Sequence, residues 1–336
     1  MVQPRTTIAV VPREVYSITP AMLETLLRNT PEPRRIVLVD GGSPRTVRRR
    51  LERLARERDF TFVHRDAVMT SNEARNQAMR HVDTEYVCFL DNDTFVDPGW
   101  LDGLERCADE TGASLVCAAV LWGRRQRWEV HYAGGRCRIV TDGDTRCLDE
   151  HNTHMHRPVS ALAELTRSRT EYVEHHCLLA RVDVLRQIGP FDEALVAARE
   201  HSTLSLQVTA LGGEIWLEPS VVVRYPWPKR NRPADYRFYL PRWSDEWAER
   251  SFRHFNETWR LTDLTIDDIF REGHRERRLE QEHLQENGRW AWARAITRRG
   301  RRGLDRILTP LAVKACDRRR DRTGPPRVLH TASWDA

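Results

Sequence analysis

Lysine is almost missing from this chain: of 54 basic residues only Lys229 and Lys314 are lysine, and the other 52 are arginine. So lopsided a choice points to the base composition of a genome rather than to a ligand. The net charge is only +5 over 336 residues, and no nucleic-acid-binding motif occurs, so no nucleic-acid partner is expected. Long apolar runs are missing too. The longest, Leu115 to Trp122, is far too short to span a bilayer. Met1 to Val10 lacks the charged-then-apolar order of a signal peptide. The seven cysteines include no Cys-X-X-Cys pair, which argues against zinc ribbons and disulfide frameworks and predicts reduced thiols in a cytoplasmic protein. Finally, the loop after the first apolar run, Pro12-Arg13-Glu14-Val15, has none of the glycine that a Gly-rich phosphate loop needs.

What is present is an alternation of strands and helices. Thr6 to Val11, Arg35 to Val39, Phe60 to His64 and Tyr86 to Leu90 are β-forming runs. Helical stretches separate them: Thr19-Pro20 through Asn29, Ser43-Pro44 through Arg58, and Ser71 through about His81. Strands joined by single helices imply βαβ units and a parallel sheet. A helix opening at Asp97-Pro98 and a strand from Ser114 to Leu121 continue the pattern. Gly134-Gly135 inside Trp128 to Val140 predicts a hairpin, and the stretch on to Thr170 is irregular. It holds His151, His154 and His156, whose spacing fits no standard structural zinc site, so a solvated loop is expected. Glu171 to Ala180 is extended, and Glu200 opens a helix ending at Gly212-Gly213. Strands at Glu214 to Leu217 and Val221 to Tyr225 complete a first domain over residues 1–228.

The stretch that organises this domain is Tyr86 to Asp93. Its apolar run ends abruptly in Asp91-Asn92-Asp93. Acids cannot continue a buried strand, so the chain is expected to surface there, at the edge where open α/β sheets bind ligands. Two carboxylates one residue apart can offer oxygens to a hard divalent cation and to a ribose, and such a cation neutralises a diphosphate. Alone, an Asp-X-Asp is more often a turn.

It does not stand alone. Val39-Asp40-Gly41-Gly42-Ser43, Ser71-Asn72-Glu73-Ala74-Arg75-Asn76, Asp91-Asn92-Asp93, Tyr132-Ala133-Gly134-Gly135 and Ile188-Gly189-Pro190-Phe191-Asp192-Glu193 follow one another in a set order. Together they resemble the family 2 inverting glycosyltransferases of the GT-A fold, over about residues 6–228. The resemblance implies a Rossmann-like, mostly parallel sheet flanked by helices, and a nucleotide-sugar donor, UDP-linked foremost. It implies that Asp40 contacts uracil, that Arg75 reaches the nucleotide or its phosphates, and that Asp91 lies near the ribose. It places Asp93, with Asp91, on Mn²⁺ or Mg²⁺. Pro12 and Asn92 are counted with the donor site.

In the family the proton acceptor is the acid of a Glu-Asp pair that opens the helix after the Phe-Asp-Glu block. Here that helix opens Arg199-Glu200-His201, so His201 stands where the Asp is expected. An imidazole's unperturbed pKa of about 6.5 suits it to the role at working pH, with Glu200 as the fallback. A His that often ends the last sheet strand and meets the metal is replaced by Arg224-Tyr225. Asp192 and Glu193 are expected on the acceptor side. So are Arg242 and Trp243, which resemble the Arg-Trp end of the Gln-X-X-Arg-Trp motif of processive polysaccharide synthases, although position 239 is Tyr.

Residues 229–336 read as a helical, basic C-terminal region. Long helices are expected over Tyr236 to Trp259 and Asp263 to about Trp292, with the aromatic stripe Trp243, Trp247, Phe252, Phe255 and Trp259 packed on the first domain. Arg289 to Arg302, interleaved with Trp290, Trp292 and Ile296, is a candidate for peripheral contact with the inner membrane face. A short amphipathic piece broken by Pro310 and a loose tail from Asp317 complete the chain. The expected activity is metal-assisted glycosyl transfer to a glycan, lipid-linked, peptide or natural-product acceptor. Two alternatives stand beside it: a degenerate GT-A domain that binds a nucleotide sugar or a partner without turnover, and a sugar-phosphate nucleotidyltransferase.

Overall fold

The computed structural model describes residues 3–124, 127–226, 231–279 and 291–333. The first elements are β1 (Thr6–Val11), α1 (Thr19–Asn29), β2 (Arg35–Gly41), α2 (Arg45–Glu57), β3 (Thr61–Arg65), α3 (Ser71–Met79), β4 (Tyr86–Asp91) and α4 (Trp100–Thr111). Next come β5 (Leu115–Arg124), β6 (Arg127–Tyr132), β7 (Gly135–Asp142), β8 (Thr145–Asn152), β9 (Ser168–Thr170), β10 (Cys177–Arg181), α5 (Val182–Ile188), α6 (Glu200–Ala210) and β11 (Ile215–Pro226). The C-terminal region contributes α7 (Tyr236–Arg242), α8 (Asp245–Trp259), α9 (Thr265–Leu279), α10 (Ala291–Arg322) and β12 (Arg327–His330).

Ten of the twelve described strands form one sheet in the order β12-β3-β2-β1-β4-β10-β5-β11-β9, with β6 attached to β5, and β7 and β8 form a separate two-stranded sheet. β1, β2 and β4 are buried at every residue, as expected for parallel strands covered by helices on both faces. The architecture is the mostly parallel α/β sheet that the sequence pattern predicts, with a helical C-terminus. Two pairings set up the site. β4 runs parallel to β1 with Val11 opposite Asp91, so the loop Pro12 to Val15 leaves the sheet beside the two acids. β10 is antiparallel, inserted between β4 and β5, with Cys177 opposite Leu90. The residues just before β10 therefore arrive at the same edge, and Asp91 N–H donates to the His176 carbonyl at 3.2 Å.

Several local expectations are corrected. Gly134-Gly135 is not the turn of a hairpin: β6 folds back on β5, and β7 pairs instead with β8. The helix expected from Asp97-Pro98 starts at Trp100 after Gly99 in a left-handed conformation, because Asp97 is held by Arg224 at 2.6 Å. The long helix over Tyr236 to Trp259 is two, divided where Ser244 caps α8 by accepting from the Trp247 N–H at 3.1 Å. α10 runs through Pro310 rather than breaking there. The tail expected to be loose from Asp317 is the end of α10 and then an edge strand, β12, whose Arg327 pairs with His64 of β3.

The C-terminal helices share apolar cores with the sheet domain. Tyr16, Val68, Ala197, Phe238, Trp247, Val313 and Cys316 form one buried cluster, and Val15, Tyr239 and Trp243 another. Trp247 is fully buried, and losing so large a side chain costs about 3–5 kcal/mol in general. The stretch singled out for membrane contact, with Trp290, Trp292 and the side chains of 291–304, lies outside the described residues. Among the described residues no helix is long and apolar enough to cross a membrane.

Candidate functional site

Asp91 and Asp93 end β4 as expected, but they do not surface: both are fully buried. Arg13 Nε lies 3.6 Å from Asp91 Oδ2, and Arg75 approaches Asp91 Oδ1 at 4.0 Å. Neither Asp91 oxygen accepts a hydrogen bond from the protein. Burial raises its pKa to about 6, against the opposing pull of Arg13. A buried carboxylate with two open oxygens is costly unless something cationic meets it, so this strand end fits a bound divalent ion.

Arg75 is equally buried. Its NH1 donates to Asn72 Oδ1 at 2.9 Å, while Nε and NH2 have no hydrogen-bond partner, and burial lowers its pKa to about 10. These open donors lie on the side of Asp91. Asn92 serves otherwise. Its oxygen accepts from the Arg13 N–H at 2.9 Å, and its amide donates to the Val15 carbonyl at 2.9 Å and to Thr19 at 2.7 Å. That side chain staples the β1 loop to the β4 end and has no group left for a nucleotide. Asp40 ends β2, beyond β1, on the same sheet edge. It already accepts from Ser43 at 2.8 Å and pairs with His64 at 2.7 Å. Pro12 is buried beside them, and its carbonyl accepts from Ser71 Oγ at 3.4 Å.

Across the cleft, Arg13 NH1 reaches Glu200 Oε1 at 3.4 Å, and Arg242 NH2 meets the same oxygen at 3.3 Å. Burial opposes ionisation of Glu200, but Arg242, His201 and Arg13 outweigh it and hold the carboxyl at about 2. A carboxylate so firmly ionised is a weak proton acceptor. His201 is less enclosed, with its side chain 12% exposed. Its expected pKa near neutrality is corrected: burial pushes it down to about 4, so the ring is neutral at working pH, with its Nδ1 3.6 Å from Glu174 Oε1 and in no hydrogen bond. It stacks on His175, ring centres 4.4 Å apart.

Of the residues expected on the acceptor side, Arg242 enters the site through Glu200, while Trp243 packs beneath it and donates to Glu14 at 2.7 Å. Asp192 and Glu193 do not. Asp192 pairs with His254 at 2.6 Å and Glu193 accepts from Asn76 at 2.8 Å, so both fasten the loop before α6 to its neighbours. Arg224, where a metal-meeting His was sought, is engaged with Asp97.

The family profile described as "Glycosyl transferase family 2" matches residues 8–189, more than half of the chain. The chain belongs to glycosyl transferase family 2. No curated protein sequence matches it. Among solved structures, GalNAc-T7 with UDP, GalNAc and Mn²⁺ superposes at a TM-score of 0.52 and 15% identity, over 80% of this chain and 54% of that one. The chain thus spans about half the length of GalNAc-T7. S. aureus TarS 1-349 in complex with UDP-GlcNAc superposes at 0.51 and 13% identity, over 88% of this chain and 79% of that one. At such identities the likeness shows the fold alone, which is GT-A.

The sequence pattern does not single out four of the groups that meet here: Arg13 belongs to a loop without glycine, Glu174 and His176 to an extended run, and His131 to a strand. The signal was there: Glu174-His175-His176 puts three ionisable groups against a buried strand, the same pattern that drew attention to Asp91.

Proposed function

We propose that the chain transfers a sugar from a nucleotide-sugar donor, a UDP-sugar foremost, to an acceptor with inversion at the anomeric carbon. The observation that carries this reading is Arg13, whose guanidinium lies 3.6 Å from Asp91 and 3.4 Å from Glu200. The donor motif and the start of α6 are therefore within one side chain of each other. Direct displacement needs that arrangement, with a leaving diphosphate on one side of the sugar and a proton acceptor on the other. When bound, a divalent cation (Mn²⁺ or Mg²⁺) at Asp91 and Asp93 neutralises the leaving diphosphate. Arg75 offers its open N–H groups to the donor's phosphates, and Asp40 meets the uracil.

His201 takes the proton from the acceptor hydroxyl; its lowered pKa makes it a weaker base than a free imidazole but a stronger one than Glu200. Glu200, fixed by Arg13 and Arg242, holds the start of α6 in place and keeps the two arginines aimed into the cleft. Arg242 borders the acceptor side. The presence of UDP or UDP-GlcNAc in the two similar structures supports a UDP-linked donor. Residues 229–336 act as a helical extension of the catalytic domain in a cytoplasmic enzyme, and the basic stretch up to Arg302 is the part suited to an anionic membrane surface. The acceptor belongs to one of four classes: glycan, lipid-linked, peptide or natural product.

One observation favours a second reading, a nucleotide-sugar-binding module without turnover: His201 replaces the acid expected as base, and its acidic neighbour Glu200 is pinned by two arginines. A nucleotide-release assay over UDP-, GDP- and dTDP-sugars separates the two. Release of UDP above the uncatalysed rate supports transfer. Calorimetric binding without release, over a panel of acceptors, moves the chain to the second reading.

A further inference from the structure

One group of ionisable side chains at the sheet edge is left over by this reading. His131 of β6 and Glu174 and His176, just before β10, are all buried, and one ligand atom from each lies within 4.8 Å of the others. Among the described residues it is the one such grouping of three. Glu174 Oε1 accepts from His176 Nδ1 at 2.8 Å and from the His175 N–H at 2.9 Å, which fixes the carboxylate plane. Its Oε2 stands 4.0 Å from His131 Nε2, too far for a hydrogen bond.

A network serving only to fill the core would close its hydrogen bonds, since each orphaned buried polar atom costs about 1–3 kcal/mol. This one does not: His131 Nδ1 and His176 Nε2 have no partner. Both rings are instead held by packing. His131 lies 4.9 Å from the Trp122 ring and 5.2 Å from His176, edge to face, and His176 sits 4.5 Å from Tyr225. Such clamping fixes ring orientation in the way a metal site needs.

We propose that His131, Glu174 and His176 bind a divalent transition-metal ion, beside Asp91 and separately from the cation of the Asp-X-Asp motif. Two imidazoles and one carboxylate are a donor set for Zn²⁺, Co²⁺ or Mn²⁺ rather than Mg²⁺, which prefers oxygen and its own waters. In a tetrahedral site with bond lengths of roughly 2.0–2.2 Å, ligand atoms stand about 3.3–3.6 Å apart, so closing a set whose atoms lie within 4.8 Å of one another takes shifts of up to about 1 Å. Three protein ligands leave a coordination position open, the pattern of a site that also meets water or a substrate oxygen. The register of β10 on β4 places His176 opposite Asp91, so the set lies at the sheet edge that carries the acids. The inference does not require sugar transfer.

The test is a titration of the metal-free full-length chain with Co²⁺, without nucleotide, followed by calorimetry and by the visible absorption bands of the bound ion. One ion per chain is expected, weakened about ten-fold or more by His131→Gln and by His176→Gln. Asp93→Asn should change it by less than about two-fold, and Mg²⁺ in excess should not displace the ion. Failure to bind Co²⁺ without nucleotide, binding indifferent to both histidine variants, or binding lost in Asp93→Asn overturns the proposal. Circular dichroism checks each variant's fold; if His176→Gln unfolds, His131→Gln decides alone. Nucleotide release by a chain that binds no Co²⁺ would sink this site while leaving the transferase reading intact.

Discussion

Two groups of histidines invite comparison. His151, His154 and His156 are close neighbours in sequence, yet they stay apart on the surface: His151 and His156 are exposed and His154 half-buried. His131, His175, His176 and His201 are spread over some seventy positions and come together in the interior. Strand register explains the difference. The antiparallel pairing of β6 with β5 brings His131 back along the sheet, β10 delivers Glu174 to His176 opposite the end of β4, and the start of α6 lays His201 on His175. Nearness along the chain is not convergence in space. Burial then divides the two groups chemically. His131 and His175 are driven well below the usual imidazole pKa by desolvation, and His201 to about 4, so these rings present lone pairs rather than charges.

The largest effect is expected at His201, where the comparison is most easily broken. His201→Ala should lower nucleotide release under saturating donor roughly 10²–10⁴-fold, with donor affinity nearly unchanged. Normal turnover in this variant, beside a dead Glu200→Gln, would move the proton acceptor to Glu200 and leave the buried histidines without a catalytic member. Next comes Asp93→Asn. Loss of one of two acidic ligands should weaken Mn²⁺-dependent UDP binding by at least about ten-fold in calorimetry. Because Asp93 is enclosed rather than exposed, the amide, nearly the same in shape, is the variant to use, with the thermal midpoint checked beside it. UDP affinity in Mn²⁺ equal to that of the parent would remove Asp93 from the metal.

A smaller effect is expected at His64, a buried histidine of the opposite kind. Burial works against its charge, but the hydrogen bonds and charges of Asp40 and Asp66 outweigh this and raise its pKa. A pKa raised by folding stabilises the protein at pH values below the unfolded imidazole's value of about 6.5. That stability is lost as pH rises through the folded value. Urea midpoints measured from pH 6 to pH 8 should therefore fall for the parent and change less for His64→Gln. Parallel slopes for the two proteins would mean that the Asp40–His64 contact holds no extra proton.

The sheet was legible in the sequence because its central strands are apolar on both faces and joined by single helices, a pattern few other architectures produce. Asp91 and Asp93 were legible because acids at the end of such a strand have little structural use. Asn92, counted with the donor site from the same stretch, has its amide engaged by the β1 loop and Thr19, contacts set by the pairing of β1 with β4. The antiparallel insertion of β10 was not legible, since a short apolar run does not state its direction. With it went Glu174 and His176. The end of the chain was underread for a related reason: Arg327 to His330 is too short and polar to announce itself as a strand, and gains that conformation only by pairing with β3.

The smallest effect is expected where the sequence first suggested a metal. His154→Ala and His156→Ala should each leave nucleotide release within about two-fold, and stability within roughly 0.5 kcal/mol, as for ordinary surface substitutions. His156 is the stricter test of the two. Its ring pairs with Glu129 at 2.9 Å while 58% exposed, a contact that solvent and salt screen heavily. Yet the same ring lies 5.2 Å from that of Trp122, which in turn lies 4.9 Å from His131. If Trp122 is held by the sheet, removing His156 changes nothing at the interior. If His156 is needed to hold it, His156→Ala will loosen His131 and weaken Co²⁺ binding as His131→Gln does. An equal loss in both variants would join the surface histidines to the buried ones, and the division drawn between the two groups would fail at that residue.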